Sequence, residues 1–210
     1  MLSLDNAFNK NDLLEFNKRI NNTLGISIDF KFTIEEKIDG ISISLIYKNG
    51  ILNKAVTRGD GTIGEDVTNN VIGILDVPKR IKYFQDLEVR GEIFMYDEEF
   101  KRINSISEKK YANSRNLTAG TIRQLDSKIM KQRKVSTFFY HLVDPENHNI
   151  SSHSDSLDFI KNLGFRVNER IKLVLNIEEA FSIVKFFEES KKDLNYPIDG
   201  AVIKVDDINL

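Results

Sequence analysis

Glu35-Glu36-Lys37-Ile38-Asp39-Gly40 is the segment of this sequence best able to do chemistry. A primary amine is a nucleophile once it loses its proton, and a loop held between two strands presents it in one geometry. By itself K-x-D-G is short enough to be a charged turn ahead of a strand. Glu35 shares the strand parity of Lys37, while Asp39 follows in the turn. Four further polar blocks accompany it: Thr57-Arg58-Gly59-Asp60-Gly61 running on to Thr68, Leu87 to Glu92, Asn113-Ser114-Arg115-Asn116 running on to Arg123-Gln124-Leu125, and Asp199-Gly200-Ala201-Val202-Ile203-Lys204.

These residues need strands to hold them. From Phe30 the pattern alternates, with Phe32 and Ile34 on one face and Lys31, Thr33 and Glu35 on the other, so a strand leads into Lys37. Ile41 to Tyr47 alternates as well, Asn49-Gly50 is the signal of a type I′ hairpin, and Ile51 to Thr57 returns antiparallel. Further strands are expected from Leu87 to Phe94, Thr137 to Val143 and Ile198 to Val205, the last placing Lys204 with Val202 opposite Ile203.

Helices are expected after Asn11, read as an N-cap, through Leu13, Phe16, Ile20 and Leu24 to Gly25. Others follow Asp97, read as a cap, cover part of 113–127, carry Leu157, Ile160 and Leu163 to Gly164, and run from Asn176 through Phe187. Arg115 and Arg123, eight residues apart, would lie ~12 Å apart along one helix. Asp144 to Ser156 reads as the softest connection. The fold class is α+β with largely antiparallel sheets flanked by helices.

At 210 residues, 40% hydrophobic and 30% charged, the chain is an ordinary globular one, long enough for one sizeable domain or two small ones, and one core with room for a subdivision is expected. A net charge of −2 excludes tight general nucleic-acid binding by the chain as a whole. The absence of cysteine excludes disulfides, zinc thiolate sites and thiol nucleophiles, and points to the cytoplasm. No apolar run nears the roughly 20 residues of a membrane span, so no membrane is expected as partner.

Taken in order and spacing, the five blocks resemble the nucleotidyltransferase (adenylation) domain of NAD-dependent DNA ligases, from Met1 to Leu210. The R-G-D-G block and the N-x-R-N segment followed by R-Q-L-D resemble the NAD-dependent branch more than ATP-dependent ligases or capping enzymes. The resemblance implies a covalent-nucleotidyltransferase, ATP-grasp-like fold, with NAD as AMP donor, Mg²⁺, and nicked double-stranded DNA as partner of the complete enzyme, a cytoplasmic monomer.

Lys37 then corresponds to the nucleophile that forms lysyl-AMP and Asp39 to the aspartate that positions it. Glu35 matches the acceptor of the adenine amino group, and Lys204 and Arg58 match cations near the phosphate. Glu92 falls on an acid that meets either the ribose or the waters of magnesium, and Asp199 on a later acid, a second water-mediated metal contact. His141 aligns with a ring stacking on adenine, with Tyr140 as the alternative register. Ser3 and Leu4 match a pair at the entrance to the site, and Arg115 and Arg123 match arginines facing DNA phosphates. Asp39 and Asp199 also read as plain turn residues before glycine.

The same resemblance implies parts that the sequence does not carry: a helical domain gripping nicotinamide mononucleotide, a second lysine block, an oligonucleotide-binding barrel, a zinc finger, helix-hairpin-helix repeats and a BRCT domain. Residues 1–210 are therefore expected to form an adenylation domain truncated at its C-terminal end, entered through a helical segment at residues 1–25, and slow or inactive alone. The rival readings are an ATP-using nucleotidyltransferase, such as an RNA ligase or capping enzyme, and a non-catalytic nucleotide-binding remnant.

Overall fold

The computed structural model describes residues 4–108, 110–124 and 132–210. Two antiparallel sheets carry the polar blocks. The first contains β1 (Phe32–Ile38) between β6 (Lys172–Val174) and β7 (Ile198–Val205). The second runs in the order β3 (Ile51–Thr57), β2 (Ile41–Lys48), β4 (Leu87–Met95), β5 (Val135–Leu142).

Alternation along β1 sends Phe32 and Ile34, both 0% exposed, onto α1 (Lys10–Leu24) and α6 (Ile177–Ser190), where Leu13, Ala180 and Phe187 complete a core. Full burial of such a side chain stabilises by roughly 1.5–3 kcal/mol, so this face of β1 is fixed and Thr33, Glu35 and Lys37 take the other. The second sheet does the same with Ile43, Leu45, Val89, Ile93 and Phe139, which pack on Leu157 and Ile160 of α5 (His153–Asn162) and on the connection after β3 that contains α2 (Thr68–Val71). Each sheet thus keeps its apolar face for its own helices. Contacts between Lys204 and Tyr140 join the polar faces.

Helix ends follow local chemistry. Helices stand within 113–127 and after Asn176 as expected, and the structure adds their caps: Asn113 for α4 (Ser114–Ile122) and Asn176 for α6. The cap of α1 is Asn9, whose side chain accepts from Asp12 N at 3.1 Å, and not Asn11, which lies inside the helix. Asp97 is the first residue of α3 (Asp97–Ile106) rather than its cap; with Glu98 and Glu99 it sets negative charge against the helix's positive end. Asn49 and Gly50 both take positive φ, 50° and 73°, as a type I′ hairpin requires.

The supposedly soft connection from Asp144 to Ser156 is built structure. Pro145–His148 form a 3₁₀ turn between Asp144 and Asn149, both left-handed, and Ser152 caps α5 by accepting from Asp155 N. The part of the 113–127 helix expectation beyond Gln124 lies outside the described residues, as does Ser3.

Candidate active site

Lys37 is presented by an irregularity in the β1–β7 ladder. Glu36 pairs with Ala201 and Ile38 with Ile198, so Asp199 and Gly200 together oppose Lys37. Gly200 sits at φ 109°, a backbone region closed to most side chains, and permits this two-against-one bulge. The bulge aims Asp199 at the amine: Lys37 Nζ donates to Asp199 Oδ2 at 2.6 Å. That hydrogen bond, with the charge of Lys37, holds the Asp199 carboxyl below the usual range. In this ion pair Lys37 is held as a charged donor; for the amine to act as a nucleophile, the pair would have to open and the nitrogen lose its proton.

Gly40 explains the glycine of K-x-D-G. A Cβ there would lie 2.2 Å from the carbonyl oxygen of Ile93, so only glycine lets the turn press against β4. Asp39 is fastened by its N–H to Pro197 O at 3.0 Å, and its carboxylate accepts from Arg115 Nη1 at 3.0 Å. Gly59 and Gly64 are equally constrained, since their Cβ atoms would meet Ile63 O and Thr57 O at 1.7 and 1.9 Å. The loop they fold brings Arg58 beside Ser42, and Ser42, Arg58, Asp60, Arg115 and Arg123 line one hollow. Arg115 is on α4, whereas Arg123 is its C-terminal cap residue and pairs with Glu65 at 2.6 Å.

Glu92 lies opposite Ser42 in the β2–β4 register. Its Oε2 accepts from Ser42 Oγ at 2.8 Å and from Tyr140 OH at 3.4 Å. Arg90, two residues away on β4, bonds Glu88 and not Glu92. Burial pushes the Glu92 carboxyl up to about 7, against the opposing bonds from Ser42 and the charge of Arg115. The folded chain therefore holds this proton more tightly than the unfolded one, and stability from Glu92 that is present below about pH 4.5 is lost as pH rises through about 7. Glu92→Gln is expected to remove that decline, a difference on the order of 3 kcal/mol. Urea unfolding at pH 4.5, 6 and 8 measures it, and identical slopes in both proteins would show that Glu92 titrates normally.

Glu35 is 4% exposed and sits where three elements meet. Its Oε1 accepts from Lys204 Nζ of β7 at 2.7 Å and contacts His153 Nε2 of α5 at 2.6 Å. Desolvation opposes its ionisation, but the charge of Lys204 and the bond from His153 outweigh it and keep the carboxyl below its ordinary value. Lys204 also donates to Tyr140 O at 3.1 Å and lies over the Tyr140 ring.

The register between β4 and β5 shifts at Tyr140, because Arg90 pairs with His141 and Gly91 with Phe139. Phe139 and Leu142 enter the core, leaving both Tyr140 and His141 on the polar side. Both alternatives for the stacking ring are thus at the site. Burial, aided by Lys204, lowers His141 to about 4, so at neutral pH it is an uncharged ring.

The structure forms two ion pairs, Lys37 with Asp199 and Asp39 with Arg115, the charge of Arg115 reaching Asp199; it sets Glu35 and Lys204 beside His141, and Glu92 beside Asp39 and Arg115. Leu4 is exposed, outside these groups. His153 and Ser42 escaped the sequence reading: Ser42 could have been found by pairing the strands, whereas His153 carries no local signal. Among the described residues no three His, Cys, Asp or Glu side chains cluster as a metal site. A magnesium ion held on substrate phosphates needs only one or two protein carboxylates, which Glu92 and Asp199 could supply through water.

The sequence matches the model of the NAD-dependent DNA ligase adenylation domain over residues 1–210. The chain belongs to this family. It is 46% identical over 210 residues to a DNA ligase of Mycoplasmopsis agalactiae, covering 100% of this chain and 32% of that protein. It is 42% identical over 214 residues to a DNA ligase of Petrotoga mobilis, again covering 100% and 32%. This adenylation domain therefore spans about a third of the length of the curated relatives it matches. Among solved structures, Pmar-Lig_Pre. superposes with a TM-score of 0.51 at 12% identity, over 94% of this chain and 47% of that one, a likeness of fold alone. Membership of an NAD-dependent family favours the ligase reading over RNA ligases, capping enzymes and a non-catalytic remnant, and implies NAD as the AMP donor.

Proposed function

We propose that this chain carries out the self-adenylation step of a DNA ligase. Lys37 first gives up its ammonium proton to solvent as the pair with Asp199 opens; its Nζ then attacks the α-phosphorus of NAD, a P–N bond forms, the P–O bond to nicotinamide mononucleotide breaks, that fragment leaves with the electron pair, and the nitrogen releases a second proton to solvent. The observation that carries this reading is the shared face of β1, on which Lys37 follows two residues after a Glu35–Lys204 pair. An acceptor next to a donor is what the amino group and adjacent ring nitrogen of adenine require.

In this reading Glu35 accepts from the adenine amino group, Lys204 donates to the ring, and uncharged His141 or Tyr140 stacks on its face. Glu92, bonded to Ser42, meets the ribose or a magnesium-bound water, and Asp199 meets a second such water once it leaves Lys37. Mg²⁺ would neutralise charge on the phosphate oxygens. Asp39, tied to Arg115, positions the loop, and Arg58 faces the phosphate.

Arg115 and Arg123 also serve phosphates of nicked double-stranded DNA, the substrate of the complete enzyme in replication and repair, working as a monomer in the cytoplasm. No described helix is long and apolar enough to cross a membrane. Incubation of a longer protein, in which this domain is joined to the helical domain that grips nicotinamide mononucleotide, with magnesium and adenylate-labelled NAD or ATP tests the donor: an acid-labile, base-stable label from NAD alone is expected, and equal labelling from ATP would overturn the assignment.

A further inference from the structure

Glu35, His153 and Lys204 form a closed triangle: 2.6 Å from Glu35 Oε1 to His153 Nε2, 2.7 Å from Oε1 to Lys204 Nζ, and 3.1 Å between Nζ and Nε2. A lysine ammonium only donates, so the hydrogen on His153 decides which edges are hydrogen bonds. If Nε2 were bare, it would accept from Lys204 and face an ionised carboxylate oxygen at 2.6 Å with no hydrogen between them. If Nε2 carries the hydrogen, both short edges are donations into Oε1 and the long edge is merely an approach of two donors. The order of the three distances fits the second case.

We infer that His153 is a positioning residue for base selectivity, holding Glu35 as a pure acceptor so that the site takes adenine and rejects a 6-oxopurine. This rests on the reading that Glu35 and Lys204 meet the edge of the base. The contacts of Glu35 among the described residues all use Oε1, which leaves Oε2 for a ligand's amino group.

Lys204 cannot hold Glu35 alone. Its side chain is 24% exposed and must also serve the ligand, whereas the His153 side chain is 6% exposed and rooted in the first turn of α5. The helix start is itself tied down, by His153 N to Asp206 O at 2.6 Å and Ser154 N to Asp206 Oδ1 at 2.8 Å. Without the imidazole, a carboxyl this buried can take up a proton and become a donor. Its O–H would then donate to the O6 atom of a 6-oxopurine.

Calorimetry with AMP and IMP on the 210-residue chain tests this, because hypoxanthine reverses the hydrogen-bonding sense at both positions. The wild type is expected to prefer AMP by a hundredfold or more, since sites built to hydrogen-bond a group discriminate strongly against its absence. His153→Leu should cut the preference to below about tenfold, chiefly by gaining IMP affinity, and His153→Gln, which restores a donor, should recover most of it. No preference in the wild type, or one unaffected by Glu35→Gln, would overturn the underlying site reading. A collapse in Glu35→Gln with full preference kept in His153→Leu would overturn the role of His153 alone, as would equal weakening of both nucleotides. Nitrogen-15 spectra of the wild-type histidines give a check that needs no variant: a hydrogen on Nε2 of His153 is expected in the AMP complex, and a bare Nε2 rejects the inference.

Discussion

Lys37→Ala is expected to end covalent attachment of AMP in any longer protein that joins this domain to the helical domain gripping nicotinamide mononucleotide. Nothing else on the β1 face offers an amine in this place, since Lys204 is occupied by Glu35 and Tyr140. Lys37→Arg should be as inert, because a guanidinium stays protonated at any working pH. The loss should be confined to chemistry, with AMP affinity changed little, as Lys37 faces Asp199 and not the Glu35 pocket. Mass spectrometry of that longer protein after incubation with NAD decides it: a 329 Da adduct, about the mass of an adenylyl group, found on another lysine would sink the assignment.

The largest stability effect is expected at Glu36, the residue before the nucleophile. Its side chain is fully buried on the helix-covered face and accepts from Arg170 Nε, from Tyr196 OH at 2.6 Å and from Asn168 Nδ2 at 3.0 Å. Arg170 donates further to Ser190 Oγ and lies over the rings of Phe186 and Phe187. Burial keeps the Tyr196 hydroxyl neutral, as a donor must be. Glu36→Ala strands three donors together and should cost about 3–5 kcal/mol, as breaking a buried ion pair does. The double variant with Arg170→Ala should cost less than the two single changes added together. Urea midpoints for the set provide the measurement, and a loss within ~0.5 kcal/mol for Glu36→Ala would mean the network contributes nothing.

What could be read in the sequence was what is local. Alternation gave β2, its hairpin and the full extent of β7, and apolar spacing located the helix after Asn176. β6 has only three residues, too few for any period to register, and the cap of α1 was misread because Asn9 and Asn11 are both cap-forming types two residues apart. Within the site, residue types and the family pattern indicated which side chains to watch but not how they join. Lys37 meets Asp199 across 162 positions, Glu35 meets His153 across 118, and Asp39 meets Arg115 across 76. Such pairings follow from sheet register and helix placement, and no periodicity carries them.

The bulge at Asp199 and Gly200 acts as a frame marker for β7. Upstream of it Ile198 faces Ile38, and downstream the strand resumes one step out of phase, with Val202 opposite Glu35, Ile203 opposite Ile34 and Lys204 opposite Thr33. Side chains alternate with a period of two, so losing one residue here would turn the remainder of the strand over. Lys204 would enter the core against α6, and Ile203 would stand where the adenylate's cation belongs. An insertion or deletion at this point is therefore not a local change in a turn but an exchange of core for cleft, and the lengths tolerated between Ile198 and Lys204 are fixed by a single unpaired step in a ladder.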